Sequence, residues 1–177
     1  MIEERYSKTA KLLYNPHFSK TGSLHTMMLA KEQMKGAPFV LLNADLVFSA
    51  DMLNRLIKHP AQTAVLVDNR LPRSDGEMNV VVNDGMVAQI SKAVPAEVSD
   101  AQSLQIIKFS AEDSSLLFLE AAKLGRTKNT QLFPANAYHS IISQSSMAAV
   151  QAEEGFWHEV DTLEDFENCE RLFLQYV

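Results

Sequence analysis

The chain contains 177 residues, a length that fits one ordinary domain. Hydrophobic residues make up 46% of it and charged residues 21%, proportions that exclude a disordered chain, a collagen-like repeat and a coiled coil. The net charge is −6, from 16 basic and 22 acidic residues, and the basic residues are scattered, which argues against a nucleic-acid partner.

The cysteine content and the longest apolar runs narrow the class of protein further. The single cysteine, Cys169, excludes a disulfide framework and a cysteine-based zinc site. The apolar runs are far shorter than the ~20 residues that cross a bilayer, and residues 1–5 lack the apolar segment of a secretory signal. We therefore expect a soluble, cytoplasmic protein with no membrane partner.

The first part of the chain predicts a strand and a helix. Residues 11–14 form a short apolar run ended by an Asn-Pro pair, which predicts a strand stopped by a turn. Ser23 is typical of an N-cap for a helix over residues 24–35.

The next elements enclose a polar segment. The continuous apolar run at residues 38–42 predicts a strand buried on both faces, as in a parallel sheet. Asp45 follows it closely, and Ser49 then caps a predicted helix over residues 50–58.

The middle of the chain carries a hairpin signal. Asp84-Gly85 lies between the apolar runs of residues 78–82 and 86–90, and such a pair between two strands is typical of a tight turn. Two further strands are predicted at residues 63–67 and 103–109.

The last part of the chain predicts two capped helices with shorter elements between them. Ser110, with Asp113 three residues later, indicates the start of a helix over residues 111–124. Thr162 and Asp165 form a T-x-x-D cap for the final helix. The shorter elements are a helix at residues 134–143, a strand at 147–152 and a β-like run at 157–161.

Strands that alternate with helices, and that are apolar throughout, predict an α/β fold to which the hairpin adds an antiparallel section. Ligands in open α/β sheets lie beyond the carboxyl ends of strands, and Asp45 stands at such an end. A carboxylate there suits Mg²⁺, which prefers oxygen ligands. The alternative is a turn residue that hydrogen-bonds its own backbone.

Three further positions could carry chemistry. Asp161 either caps the last helix or shares a metal ion with Asp45. Gly22-Ser23 opens a helix whose N–H groups hold an anion or a base edge, unless they are ordinary capped groups. Lys92 either binds a phosphate as a point charge or is a solvated surface lysine.

Four blocks in order resemble the sugar-nucleotidyltransferase superfamily, with the greatest likeness to phosphocholine and sugar-phosphate cytidylyltransferases. They are residues 14–24 (YNPHFSKTGSL), 39–45 (FVLLNAD), 90–92 (ISK) and 158–165 (HEVDTLED). Together they extend over nearly the whole chain. The resemblance implies a truncated GT-A-like, Rossmann-related nucleotidyltransferase fold, a mixed sheet with helices on both faces.

The resemblance also implies roles for individual residues. Asp45 and Asp161 match the family's two metal aspartates, Gly22 and Ser23 fall where the family contacts the nucleotide, and Lys92 matches a lysine near the substrate phosphate. In such enzymes Mg²⁺ bridges the nucleotide phosphates, and a phosphorylated small molecule attacks the α-phosphoryl group of CTP. Catalysis is then mostly positioning and charge neutralisation.

The sequence departs from the family at the phosphate-binding loop. Members begin with a strand that opens into a Gly-rich loop, whereas residues 1–177 contain no Gly-x-Gly run. Two strand–helix units, about 60 residues, lack a counterpart. We therefore expect residues 1–177 to form a single, N-terminally incomplete domain with weak or no activity, because the triphosphate loses its cradle of backbone N–H groups.

The same departure affects the sheet. In the family, the first strand lies between those that residues 11–14 and 39–42 resemble, so its absence exposes an apolar edge. Such an edge pairs with another chain, which predicts a homodimer or a rearranged, swapped sheet. Two alternatives stay open: an active site completed by another polypeptide or a second copy, and a non-catalytic binding or oligomer-forming module.

Overall fold

The computed structural model of the protein describes residues 2–176, with side chains through residue 174. The helices are α1 (Ile2–Tyr6), α2 (Ser23–Leu29), α3 (Lys31–Met34), α4 (Ala50–Lys58), α5 (Ala111–Leu124), α6 (Tyr138–Gln144) and α7 (Leu163–Tyr176). The strands are β1 (Phe39–Leu41), β2 (Leu46–Phe48), β3 (Ala64–Asp68), β4 (Asn79–Asn83), β5 (Met86–Ser91), β6 (Ala101–Phe109), β7 (Ala148–Gln151) and β8 (Trp157–Glu159). Short 3-10 turns lie at Ala96–Val98 and Pro134–Ala137.

Six strands form one mixed sheet in the order β1-β6-β3-β7-β5-β4, and β4 also pairs with β6. Strands β3 and β7 are parallel, and the other pairs are antiparallel. Strands β2 and β8 form a separate antiparallel ribbon. Within the described residues, no helix is long and apolar enough to cross a bilayer.

Helices cover both faces of the sheet, as expected. Along β3 the side chains alternate, since Val65 and Val67 enter one apolar cluster whereas Ala64 and Leu66 enter the other. Helices α2, α5 and α6 pack on the first cluster, and α4 packs on the second. Burial on both faces explains why the sequence of β3 is apolar at nearly every position.

A hairpin turn and a helix start follow their sequence signals closely. Asp84 and Gly85 both have positive φ (49° and 78°), the geometry of the tight hairpin turn that their sequence predicts. Ser110 Oγ accepts a hydrogen bond from the backbone N–H of Asp113, 3.0 Å away, and α5 begins at the next residue. Sequence signals of this kind depend only on a few neighbouring residues, which is why the structures that they predict are formed.

Two predictions near the amino-terminal end are wrong. Residues 11–14 form no strand, and Leu12, Leu13 and Tyr14 are 41%, 42% and 79% exposed. A strand needs a neighbour for its N–H and C=O groups, and within residues 2–176 none lies beside this segment. The predicted helix over residues 24–35 is divided into α2 and α3 at Ala30, and its N-cap is Gly22, so Ser23 is the first helical residue.

Strand β1 also differs from its prediction. It is only partly buried and antiparallel to β6, rather than buried on both faces in a parallel arrangement. It stands at the end of the strand order and has, among the described residues, no partner on its other side. The expected free edge is therefore present at β1.

The alternating burial in β3 gives a stability prediction. Leu66 is fully buried, so Leu66→Ala leaves a cavity and lowers the free energy of unfolding by about 2–5 kcal/mol. Leu163→Ala, at a residue 75% exposed, is the control and changes it by less than about 0.5 kcal/mol. Urea denaturation of both variants measures the difference, and equal midpoints would contradict this description of the core.

Candidate functional site

A crevice forms where β6 changes its partner. On one edge β6 pairs with β3 along most of its length. On the opposite edge it pairs with β4 at residues 101–102 and with β1 at residues 107–109. Residues 103–106 lie between the two partners, so the sheet opens there, next to the end of β1.

After the end of β1, the two predicted metal aspartates lie on neighbouring backbone segments. Asp45 lies between β1 and β2, and its carbonyl oxygen accepts a hydrogen bond from the N–H of Val160, 2.9 Å away. Asp161 follows Val160 directly, and Leu46 is paired with Glu159 in the β2–β8 ribbon. The fold thus places Asp45 together with Glu159 and Asp161, although more than 110 residues separate Asp45 from the other two in the chain.

The carboxylate of Asp45 leaves one oxygen without a protein partner. Its Oδ1 is buried and accepts no hydrogen bond from the described residues, an arrangement that costs free energy unless a ligand satisfies it. Within residues 2–176, no group of three or more His, Cys, Asp or Glu side chains is arranged to enclose a metal ion. Mg²⁺ characteristically takes only one or two protein carboxylates and completes its shell with phosphates and water. The orphaned oxygen of Asp45 beside Asp161 fits that kind of site.

Negative charge accumulates around Glu159, which is half-buried. Burial raises the pKa of Glu159, and the neighbouring carboxylates of Asp45 and Asp161 raise it further, whereas Lys92 opposes them. A cation would remove this repulsion.

Beside the aspartates lies a cavity of about 400 Å³. Glu159, Asp161 and Lys92 line it together with Trp157 and Glu77. Lys92 is solvent-exposed and directly follows β5. The structure therefore brings Lys92, Asp45 and Asp161 to one region.

The wall of this cavity is fixed by a buried carboxylate. Asp68, 1% exposed at the end of β3, accepts hydrogen bonds from the guanidinium of Arg70 at 2.7 and 2.9 Å and from the indole N–H of Trp157 at 2.9 Å. Burial favours the neutral acid, but the hydrogen bonds from Arg70 and Trp157 hold the pKa of Asp68 below its usual value. Asp68 thus attaches β8 to the main sheet and orients Trp157.

The predicted nucleotide-binding residues lie at the start of α2. The N–H of Gly22 donates to Thr130 O at 2.7 Å, and that of Leu24 donates to Leu132 O at 3.0 Å. A Cβ on residue 22 would be 2.3 Å from Leu132 O, so this close approach requires glycine. Ser23 is exposed and lines a small cavity of about 30 Å³ with Asn43. Ser23 therefore lies at the crevice, whereas the N–H of Gly22 is already bonded to Thr130, and the role of both residues in binding stays a prediction.

The T-x-x-D cap after β8 forms as predicted. Asp165 Oδ2 accepts from the N–H of Thr162 at 2.8 Å, and Thr162 Oγ1 accepts from the N–H of Asp165 at 3.2 Å. These bonds to Thr162 lower the pKa of Asp165. The side chains of Thr162 and Asp165 therefore form the cap of the helix. Asp161 precedes this cap and lines the cavity.

Sequence reasoning missed Gln105. Its carboxamide lies between Asn43, whose Nδ2 donates to Gln105 Oε1 at 3.0 Å, and Glu159, whose Oε1 accepts from Gln105 Nε2 at 3.1 Å. Its backbone has φ 55°, a left-handed conformation within a strand. A glutamine within an otherwise apolar strand is interpreted as a surface residue, so the sequence does not indicate a functional role for this position.

The comparisons with known proteins concern the fold. No family model matches the sequence, and no curated protein matches it. Among solved structures, CTP:phosphocholine cytidylyltransferase (LicC) from Streptococcus pneumoniae matches 97% of this chain and 72% of its own, with a TM-score of 0.72 and 16% identity. The inositol-1-phosphate CTP transferase from T. maritima matches 85% of this chain and 60% of its own, with a TM-score of 0.67 and 15% identity.

An apo UDP-glucose pyrophosphorylase matches 98% of this chain and 67% of its own, with a TM-score of 0.71 and 12% identity. The chain therefore has the nucleotidyltransferase fold, and the expected mixed sheet with helices on both faces is confirmed. It spans 60–72% of the length of these three structures.

The Asp68 cluster predicts a pH effect on stability. Because the pKa of Asp68 is lowered on folding, its contribution is complete above the ordinary value of 3.8 and is lost as the pH falls through the lower folded value. Asp68→Asn therefore destabilises the protein by about 2 kcal/mol at neutral pH, and the difference from wild type shrinks in acid. Denaturation followed by the fluorescence of Trp157, the sole tryptophan, measures both effects.

Asp51→Asn is the matched control for this measurement, since Asp51 is exposed on α4. A variant Asp68→Asn with wild-type stability at neutral pH would show that the hydrogen bonds to Arg70 and Trp157 do not stabilise the fold.

Proposed function

We propose that residues 1–177 form the metal- and acceptor-binding part of a nucleotidyltransferase that joins CTP and a phosphorylated small molecule with release of pyrophosphate. The observation that carries the proposal is the buried, unpartnered Oδ1 of Asp45 beside Asp161, at the end of a strand in a nucleotidyltransferase fold. Two of the structural neighbours act with CTP by their names, which favours CTP as the nucleotide.

Each proposed site residue has a distinct role in this reaction. Asp45 and Asp161 would hold Mg²⁺, which when bound neutralises the phosphates of the nucleotide. Lys92, which lines the same cavity, would place a positive charge on the acceptor phosphate. Gly22 and Ser23 would contact the nucleotide at the start of α2.

The sequence limits the activity of the chain on its own. None of its six glycines forms a Gly-x-Gly run, so these residues include no Gly-rich loop to hold the triphosphate through backbone N–H groups. The two carboxylates and Lys92 supply charge, but charge alone orients a flexible triphosphate poorly. We therefore expect weak or no turnover unless another polypeptide or a second copy completes the site.

Metal binding tests the proposal directly. Mn²⁺, followed by electron paramagnetic resonance in the presence of CTP, binds to the wild-type protein, and Asp45→Asn or Asp161→Asn weakens that binding about tenfold or more. Asp51→Asn again serves as the control. If Mn²⁺ does not bind to the wild-type chain even with CTP, or if Asp45→Asn binds it normally, the proposed site is wrong.

The alternative is a non-catalytic module that uses the fold to form oligomers, and one observation favours it. Strand β1 has a free edge among the described residues, and Leu42 follows it with 41% of its surface exposed. An unpaired, apolar edge is a template for pairing with another chain. A second copy paired at β1 would give a homodimer, one of the two arrangements expected from the sequence.

Light scattering at micromolar concentration tests the dimer. Wild type is expected to be a dimer, and Leu42→Lys a monomer, because a charge at the edge opposes pairing. Leu119→Lys, at an exposed leucine on α5, is the matched control and stays a dimer. A monomeric wild-type protein would exclude this use of the edge.

A further inference from the structure

Gln105 adopts a backbone conformation that glutamine disfavours. Its φ of 55° lies in the left-handed region, where a side chain crowds the backbone and glycine is the usual residue. The strain falls at a shift in register, since the pairing of β6 with β3 is interrupted between Val65 and Val67. Bulges of this kind re-aim a side chain and concentrate next to functional sites.

Local contacts hold this conformation in place. The N–H of Gln105 donates to the hydroxyl of Ser103 at 2.9 Å, and Ser103 is buried. The strained residue therefore keeps its backbone donor satisfied without a neighbouring strand.

The side chain that the bulge re-aims joins two separate segments. Its carbonyl oxygen accepts from Asn43 Nδ2, and its amide nitrogen donates to Glu159 Oε1. Asn43 stands two residues before Asp45, and Glu159 stands two residues before Asp161. One carboxamide thus contacts both segments that carry the proposed metal aspartates.

These segments need such an attachment. The β2–β8 ribbon consists of only three residue pairs and is separate from the six-stranded sheet. Two-stranded ribbons are marginally stable by themselves. At one end of the ribbon Ser49 bonds to Phe156 and Asp68 holds Trp157. Gln105 fastens the other end, at which Asp45 and Asp161 lie.

We infer that Gln105 is a positioning residue for the Asp45–Asp161 site. It holds Asn43 and Glu159 at a fixed separation, and through them it sets the distance between the two carboxylates. The inference rests on the proposed function in so far as the ligand of that site is a divalent cation. The strained backbone is the cost of aiming this side chain at the site.

Two substitutions separate positioning from a general effect on stability. Gln105→Gly removes both side-chain hydrogen bonds and also the backbone strain, whereas Gln105→Leu removes the hydrogen bonds and keeps the strain. We expect Gln105→Gly to unfold at a higher temperature than Gln105→Leu. Both variants are expected to bind Mn²⁺ about tenfold more weakly than wild type, as is typical when a partner of a metal ligand is lost.

The matched control is Gln89→Leu, an exposed glutamine on β5 away from the aspartates, which leaves Mn²⁺ binding unchanged. If Gln105→Gly binds Mn²⁺ as wild type does, or if loss of affinity simply follows loss of thermal stability, Gln105 does not position the site.

Hydrogen exchange supplies a second measurement that requires no metal. In both Gln105 variants, the amides of residues 45–48 and 157–160 exchange faster than in wild type, while those of β3 keep their protection. Absence of Mn²⁺ binding to the wild-type protein would refute the proposed function. The exchange measurement still tests the positioning role of Gln105 in that case. Unchanged exchange in the two segments would overturn the positioning role.

Discussion

The pairing of β6 with three other strands is the constraint on which the structure depends. Its nine residues pair with β3 on one edge and share the opposite edge between β4 and β1. Side chains of β6 also enter both apolar clusters, with Leu104 in one and Ile107 in the other. A strand bound on every side cannot shift its register without exposing a core face. The opening between β4 and β1 is therefore a fixed feature of the sheet, and the candidate site lies in it.

The opening between β4 and β1 contains features that destabilise the folded state, and the burial of the core offsets their cost. An orphaned carboxylate oxygen on Asp45, a raised pKa on Glu159 and a left-handed backbone at Gln105 each disfavour the folded state. They are distant in the chain but close in the fold, since Gln105 bonds to Glu159 and the carboxylates of Asp45 and Glu159 repel each other. Such a concentration of local costs is typical of a binding site, where a ligand removes them. A solvent-exposed surface without a binding role is not expected to contain such destabilising features together.

The sequence predictions are accurate where a structure depends on residues close together in the chain, and they are inaccurate where it depends on distant residues. The turn at Asp84-Gly85 and the cap at Ser110 were predictable because each needs only residues within three positions of itself. The apolar run at residues 11–14 has the composition of a strand, but no strand of the described residues lies beside it. No local pattern in a sequence indicates whether such a partner is present.

The same distinction applies to the site. Asp45 and Asp161 stand out because each is an acidic residue that follows a predicted strand or β-like run. Asp68 and Gln105 do not, because their roles depend on Trp157 and Glu159, more than 50 residues away in the chain. The sequence could therefore predict the carboxylates of the site but not the side chains that hold them in place.

The free edge and the site are physically connected through β1. This strand has three residues and, within residues 2–176, one partner, and it leads within four residues into Asp45. A chain that paired with its free edge would restrict the motion of β1 and hence the position of Asp45. By linkage, whatever favours that pairing also favours a ligand that requires Asp45 in place, and the ligand in turn favours the pairing. Association at the edge and binding in the crevice are thus expected to strengthen each other.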